Sequence, residues 1–142
     1  MKTVTVNAVG GEGFRIDVAA RDFNMIVDQP PAGGGKNEGP NPLEYTLASL
    51  AACMVTIGKI VAKQDRIKLN GMTCKVEGDL HPEVFQGKTT EPRAGFVDIR
   101  MELTVDADLT HEEKVAFVEK VESRCPVSDA LANPSKVHFV VK

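Results

Sequence analysis

The feature that most constrains this chain is the apolar segment LEYTLASLAACMVTIG at residues 43–58. Before it, Asn41 suits an N-cap, Pro42 suits the first helical position, and Glu44 stands where a capping box requires it. The pattern predicts a helix over residues 42–63. Its first four turns are apolar or small on every face, and a helix of that kind has to be buried on every face. In a small domain, either a sheet must wrap it or a second chain must cover it.

Composition narrows the class of protein. The 142 residues include 17 Lys+Arg and 20 Asp+Glu, a net charge of -3, so no basic excess exists to displace counterions from a nucleic acid. The N-terminal sequence lacks the apolar run and cleavage site of a signal peptide. The longest uncharged stretch, which ends at Gly58, is too short to span a bilayer. We therefore expect a single cytoplasmic domain over residues 1–142, with no nucleic-acid partner and no membrane partner.

Short apolar runs on both sides of the helix predict strands. The Gly- and Pro-rich stretch at residues 30–40 predicts a mobile loop. Because groups of strands, rather than single strands, separate the helices, the order favours an α+β fold with an antiparallel or mixed sheet. The predicted strands cover residues 2–9, 13–19, 23–28, 72–80, 96–106 and 136–141.

A second helix is predicted to begin after Thr110, because Glu113 completes a capping box with it. Its valines fall on one stripe, which makes it amphipathic, and Pro126 ends it. Ser128 or Asp129 is predicted to cap a short helical turn that follows.

Three cysteines, Cys53, Cys74 and Cys125, are present without a CxxC pair, which does not fit a zinc site or a secreted disulfide framework. Cys53 lies mid-helix with the hydroxyls of Ser49 and Thr56 on the same face, although a buried structural cysteine fits that position as well. It is too far from the helix start to gain from the helix dipole. A lowered thiol pKa therefore needs a charge from another segment.

Cys125 ends a helix directly before a proline, a boundary that can expose its sulfur near the backbone N–H groups of the next turn. A small hydrophobe at a helix end is the alternative. Cys74 is interpreted as structural, within a strand. Glu44 caps its own helix, and nine residues of helix place it on the opposite face from Cys53, about 13 Å away along the axis. If Glu44 acts on Cys53, it must therefore do so across a subunit boundary or through an intermediary.

The segment GPNPLEYTLASLAAC at residues 39–53, followed by CPVSDAL at residues 125–131, resembles the OsmC/Ohr family, and most closely its general OsmC-like branch. The resemblance covers nearly the whole chain. It implies an α+β, OsmC-like fold with sheets wrapping a long central helix. It also implies an intertwined homodimer whose sites lie at the subunit interface.

The resemblance further implies a peroxidase that reduces organic hydroperoxides and, to a lesser extent, hydrogen peroxide. Cys53 would be the peroxidatic thiol and Cys125 the resolving thiol, joined in a disulfide after oxidation. An external dithiol, lipoyl-bearing in the family, would reduce that disulfide, so no metal or organic cofactor is implied.

Two positions depart from the family pattern. The family glutamate follows the Asn-Pro pair directly, whereas here that position is Leu43 and the glutamate is Glu44. The family arginine lies in the first hairpin, where this chain has Glu12. Arg15 is the nearest candidate to replace it, and Arg21 the next. Without a guanidinium, burial would leave the pKa of Cys53 near or above its ordinary value of about 8.5.

Two alternatives to the peroxidase stay open. One is a dimer of the same fold that binds a small apolar molecule without turnover. The other is a redox-sensing or structural disulfide.

Overall fold

The computed structural model describes residues 1–133 and 135–142. Its contacts divide the chain into two compact units, Met1–Thr46 and Leu47–Lys142. The single domain expected over residues 1–142 stays a prediction, and each unit is described by itself below.

The first unit contains a three-stranded antiparallel sheet in the order β1-β2-β3. The strands are β1 (Asn7–Gly10), β2 (Ile16–Ala20) and β3 (Phe23–Val27). They confirm the three predicted strands, except that β1 begins five residues late. Residues 1–6 are exposed and unpaired.

Asp28, at the end of β3, organises the loop that was predicted to be mobile. Only 2% of the residue is exposed. Its carboxylate accepts backbone N–H bonds from Gln29 at 2.8 Å and from Lys36 and Glu38 at 3.1 Å each. A short 3₁₀ turn at Pro31–Gly33 lies inside this loop. The loop therefore has a defined hydrogen-bonded conformation, because one buried carboxylate satisfies three of its donors.

The long helix α1 spans Pro42–Gln64, which confirms the predicted helix. It begins with the predicted reciprocal cap. The backbone N–H of Glu44 donates to Asn41 Oδ1 at 2.9 Å, and the backbone N–H of Asn41 donates to Glu44 Oε2 at 2.7 Å. These bonds satisfy donors that a helix start otherwise leaves without partners.

In the second unit, two long strands form an antiparallel ribbon against which helices pack. The strands are β4 (Leu69–Asp79) and β5 (Asp98–Ala107). The shorter helices are α2 (Pro82–Phe85), α3 (His111–Glu122) and α4 (Pro126–Ala132). The core joins α1, β5, α3 and the start of α4 through Leu50, Met54, Val61, Ala62, Val105, Ala107, Phe117, Val121 and Cys125.

The capping box predicted for α3 is confirmed. The backbone N–H of Glu113 donates to Thr110 Oγ1 at 3.2 Å, and the backbone N–H of Thr110 donates to Glu113 Oε2 at 2.8 Å. The predicted end of this helix at Pro126 is wrong, because α3 ends at Glu122 and a turn separates it from Pro126, which begins α4.

The expectation that α1 is buried on every face is not met within the single chain. One face is buried through Leu50, Met54 and Val61, whereas Ala52 and Ile60 are exposed. By length and composition α1 could cross a membrane, despite the shortness of its uncharged stretch; the core helix of a soluble protein passes the same test.

The strand predicted at residues 136–141 is wrong for the single chain, because these residues form no strand. Val137 and Phe139 are each 87% exposed, and Val140 and Val141 are 86% and 85% exposed. A strand needs a neighbour for its ladder of hydrogen bonds. No segment of the described chain pairs with these residues, so their apolar side chains stay in solvent.

Candidate dithiol site

Cys53 lies at the middle of α1, on the side that faces the core of the second unit. It is half-buried and packs against the cluster that contains Leu50 and Met54. The helix that carries it is fixed from one end by its cap and along its length by buried side chains. The thiol is thus held on a rigid element rather than on a loop.

Cys125 is the N-cap residue of α4, a role that sequence reasoning assigned to Ser128 or Asp129. Its Sγ accepts the backbone N–H of Ser128 at 3.4 Å, and Pro126 occupies the first helical position. The correction has a physical reason. A proline at that position starts the helix directly after the cysteine, which leaves the cysteine side chain to meet the free N–H groups of the first turn.

Burial corrects a second expectation. The helix boundary was expected to expose the sulfur of Cys125, yet the residue is only 1% exposed. Ser128 beside it is also buried, and its hydroxyl donates to Glu122 Oε1 at 2.7 Å. That bond joins the end of α3 to the start of α4 and fixes the cysteine between them.

The thiols of Cys53 and Cys125 meet, although 71 residues separate them in the sequence. The two side chains interact closely enough for Cys125 to raise the pKa of the Cys53 thiol, and the backbone N–H of Val127 acts on the same sulfur in the opposite direction. Both cysteines are free thiols. The first turn of α4 therefore acts on both sulfurs: Ser128 donates to Cys125, and the N–H of Val127 lowers the pKa of Cys53.

The prediction that the sulfur of Cys125 lies near the backbone N–H groups of the next turn is confirmed by the bond from Ser128. In CPVSDAL, a cysteine precedes a proline that can only be the first helical residue. The next two backbone N–H groups then have no partner inside the helix. Thiol sulfurs placed near these N–H groups can accept hydrogen bonds from them.

The pKa of Cys53 is raised, as expected for a buried thiol. The largest cause is loss of solvation, the next is the hydrogen bond to Cys125, and the N–H of Val127 acts in the opposite direction. In the described part of the second unit, no lysine or arginine contributes to this pKa. Cys53 is consequently protonated in most molecules at neutral pH.

Glu44 and Arg15, the other predicted site residues, have partners of their own. The carboxylate of Glu44 caps α1 through Asn41, as described above. Arg15 forms ion pairs with Asp17 at 2.9 Å and with Glu38 at 3.4 Å in the first unit. The bond to Asp17 is the main cause that raises the pKa of Arg15. Their predicted roles toward Cys53 stay predictions.

An open cleft of about 330 Å³ lies in the second unit, lined by neighbours of the two cysteines in the chain but not by the cysteines themselves. Leu50, one turn before Cys53, and Ser128, which bonds Cys125, are both in its wall. The lining combines two charged side chains, Arg93 and Asp98, with apolar ones; the other lining residues are Phe96, Val97, Ile99, Met101, Leu131 and Ala132.

The sequence matches the profile of the family described as OsmC-like protein over residues 34–140. A protein of Mycoplasma genitalium named hydroperoxide reductase is 28% identical over 138 residues, which cover 94% of this chain and 90% of that protein. A protein of Xanthomonas axonopodis pv. citri named organic hydroperoxide resistance protein is 27% identical over 129 residues, or 90% of this chain and 85% of that one.

Solved structures agree with the fold. The OsmC-like protein of Mycoplasma pneumoniae superposes with a TM-score of 0.81 at 22% identity, covering 94% of this chain and 89% of that one. An organic hydroperoxide resistance protein of Elizabethkingia anophelis superposes with a TM-score of 0.67 at 25% identity, covering 94% and 91%. These matches confirm the predicted α+β fold, with both of its sheets antiparallel.

Proposed function

The chain belongs to the OsmC-like family, and from that premise we propose that it is a cytoplasmic thiol peroxidase that reduces organic hydroperoxides through Cys53 and Cys125. The contact between these two thiols is the observation that carries the proposal. A dithiol needs its sulfurs within reach of one another before oxidation can join them. The names of the relatives in Mycoplasma and Xanthomonas point to the same substrate class.

In the proposed reaction, the thiolate of Cys53 attacks the outer oxygen of the hydroperoxide. The O–O bond breaks, an alkoxide leaves and is protonated to an alcohol, and Cys53 becomes a sulfenic acid. Cys125 then attacks the sulfur of that sulfenic acid, water leaves, and a disulfide forms. The N–H of Val127 favours the anionic form of the Cys53 sulfur when it acts as the nucleophile.

The cleft beside Leu50 and Ser128 is the proposed entrance for the substrate. The apolar side chains in its wall suit an alkyl or aryl hydroperoxide better than hydrogen peroxide, because a hydrocarbon body gains by leaving water. The reaction requires no metal or organic cofactor. A dithiol reductant, such as a lipoyl group, completes the cycle by exchange with the disulfide.

The proposed functional form is a homodimer. Apolar residues of the last segment, Val137, Phe139 and Val141, are exposed, as is the Ala52 side of α1. A second chain that covered these surfaces would meet the requirement, set by the sequence, that α1 be buried on every face.

The proposal is tested by following cumene hydroperoxide consumption in the presence of a lipoyl dithiol. The wild type should turn over, whereas Cys53→Ser should fall to the uncatalysed background because it lacks the nucleophile. Without the dithiol, Cys125→Ser should reduce one equivalent and then hold a sulfenic acid at Cys53, detected as a dimedone adduct. As a control, Thr104→Ser changes an exposed side chain of β5 and should retain turnover. Equal consumption by the wild type and Cys53→Ser would contradict the proposal.

A second candidate function is binding of a small apolar molecule without turnover. The raised pKa of Cys53 together with the apolar cleft favours it. Native mass spectra that retain a bound molecule in both the wild type and Cys53→Ser, with no peroxide consumed by either, would support it.

A further inference from the structure

A third thiol, Cys74, lies on the inner face of β4. The residues of this strand alternate, with Met72, Cys74 and Val76 half-buried and the residues between them exposed. Cys74 is a free thiol and packs against the same core as Cys53 and Cys125. The mechanism proposed above does not use it.

The packing of α1 on β4 places Cys74 at the level of the dithiol. A β carbon at Gly58 would meet the side chain of Met72, and one at Gly78 would approach that of Leu47 to 3.3 Å. The helix and the strand therefore run in opposite directions. Going from Met72 to Cys74 advances about 6.6 Å along the strand, which equals about four residues of helix. Four residues before Gly58 on α1 is Met54, so Cys74 lies at the level of the neighbouring Cys53.

Cys125 is the sulfur that links the other two. Its side chain raises the pKa of Cys53, and its electrostatic interaction with Cys74 raises the pKa of that thiol, second to burial. Cys125 belongs to the core cluster against which both Cys53 and Cys74 pack, so α1, β4 and the N-cap of α4 bring the three residues to one core. Any disulfide between Cys53 and Cys125 would form beside a third thiol.

We propose that Cys74 is a second partner of Cys125, which takes over the disulfide and returns Cys53 to the thiol state. The inference rests on the proposed function for the origin of the first disulfide. In the exchange step, the thiolate of Cys74 attacks Sγ of Cys125. The Cys74–Cys125 bond forms as the Cys53–Cys125 bond breaks, and the electron pair leaves on the sulfur of Cys53.

No oxidant or reductant is consumed in this exchange, because one disulfide replaces another. The proton lost by Cys74 is balanced by the proton that Cys53 takes up. The consequence is that Cys53 can meet a second hydroperoxide before any external dithiol has acted. A single chain then reduces two equivalents, and ends with a Cys74–Cys125 disulfide and a sulfenic acid at Cys53.

Tryptic peptides separate the two linkages. Cleavage leaves Cys53 in residues 37–59, Cys74 in residues 69–75 and Cys125 in residues 125–136. The folded wild type is treated with one equivalent of diamide, which oxidises thiol pairs without a peroxide. Samples are quenched with N-ethylmaleimide over time and digested without reduction. We expect the Cys53–Cys125 link, between peptides 37–59 and 125–136, to appear first. The Cys74–Cys125 link, between peptides 69–75 and 125–136, should then increase as the amount of the first link decreases.

Two variants make the test decisive. Cys53→Ser should form the link between 69–75 and 125–136 directly, whereas Cys74→Ala should keep the link between 37–59 and 125–136 indefinitely. A wild type that retains only the first link, and a folded Cys53→Ser that keeps both thiols free, would overturn the inference. Because diamide replaces the hydroperoxide, that failure is distinct from a failure of peroxidase activity, which cumene hydroperoxide measures.

Discussion

At the scale of single residues, the chemistry depends on how readily the thiol of Cys53 ionises. Burial and the hydrogen bond to Cys125 raise its pKa, and one backbone N–H from Val127 only partly offsets them. The thiolate is the reactive form toward a peroxide. The thiolate fraction, and with it the reaction rate, therefore increases as pH rises toward this elevated pKa.

Alkylation of Cys53 by iodoacetamide, followed on peptide 37–59, should thus show a pH midpoint above the value of about 8.5 for an ordinary cysteine. Cys125→Ala removes the side chain that raises the pKa while Val127 still donates, so its midpoint should move down. A wild-type midpoint below neutral that rises in Arg15→Gln would contradict this account and would assign the missing cation to Arg15.

The local roles of these residues could be predicted from the sequence, whereas their contacts with remote residues could not. The capping roles of Glu44 and Glu113 were predicted correctly, because each bond spans three residues and depends on local spacing. The cap at Cys125 was not, because sulfur is an uncommon acceptor at that position. The meeting of Cys53 with Cys125 was expected only from the family resemblance, since residue spacing carries no information about a contact so remote in sequence.

At the scale of elements, the loop after β3 shows how one side chain can order a segment rich in glycine and proline. Asp28 went unnoticed in the sequence, although an aspartate at a strand end before a turn is a common acceptor for backbone N–H groups. Its bonds to Glu38, Gln29 and Lys36 lower its pKa. Its contribution to stability is therefore present above the ordinary aspartate pKa, and is lost as pH falls through the lower pKa of the folded state.

Asp28→Ala should lower the Tm at neutral pH and speed amide exchange at Lys36 and Glu38, because their donors lose the carboxylate. Asp22→Ala, at an exposed aspartate of the same unit, is the matched control and should leave both amides protected. The difference in Tm between the wild type and Asp28→Ala should shrink in strong acid. Unchanged exchange at the two amides would show that the carboxylate does not order the loop.

The prediction of a strand can also fail when its pairing partner is not a neighbouring segment of the same chain. β4 and β5 were predicted because alternation within each strand reports one buried face, and in the structure the two strands pair with one another. The segment at 136–141 carries apolar residues in the same way, yet it forms no strand in the single chain. An apolar pattern predicts that a segment is buried against another surface. It does not indicate whether the same chain or a second chain supplies that surface.

At the scale of the whole molecule, the exposed apolar segment and the half-covered α1 lead to the proposed dimer. Sedimentation at micromolar concentration should give a species near twice 15.3 kDa. Deletion of residues 136–142 removes Val137, Phe139 and Val141 and should shift the species toward the monomer. Deletion of residues 1–3 removes a terminus of similar exposure but less apolar area and serves as control. A wild-type monomer at that concentration would contradict the dimer.

The central claim is that a hydroperoxide joins Cys53 to Cys125, and peptide mapping after one equivalent of cumene hydroperoxide tests it most directly. Quenched within seconds and digested without reduction, the protein should yield peptide 37–59 linked to peptide 125–136. Recovery of both peptides with free thiols, or of Cys53 oxidised to sulfinic acid with Cys125 untouched, would contradict the account.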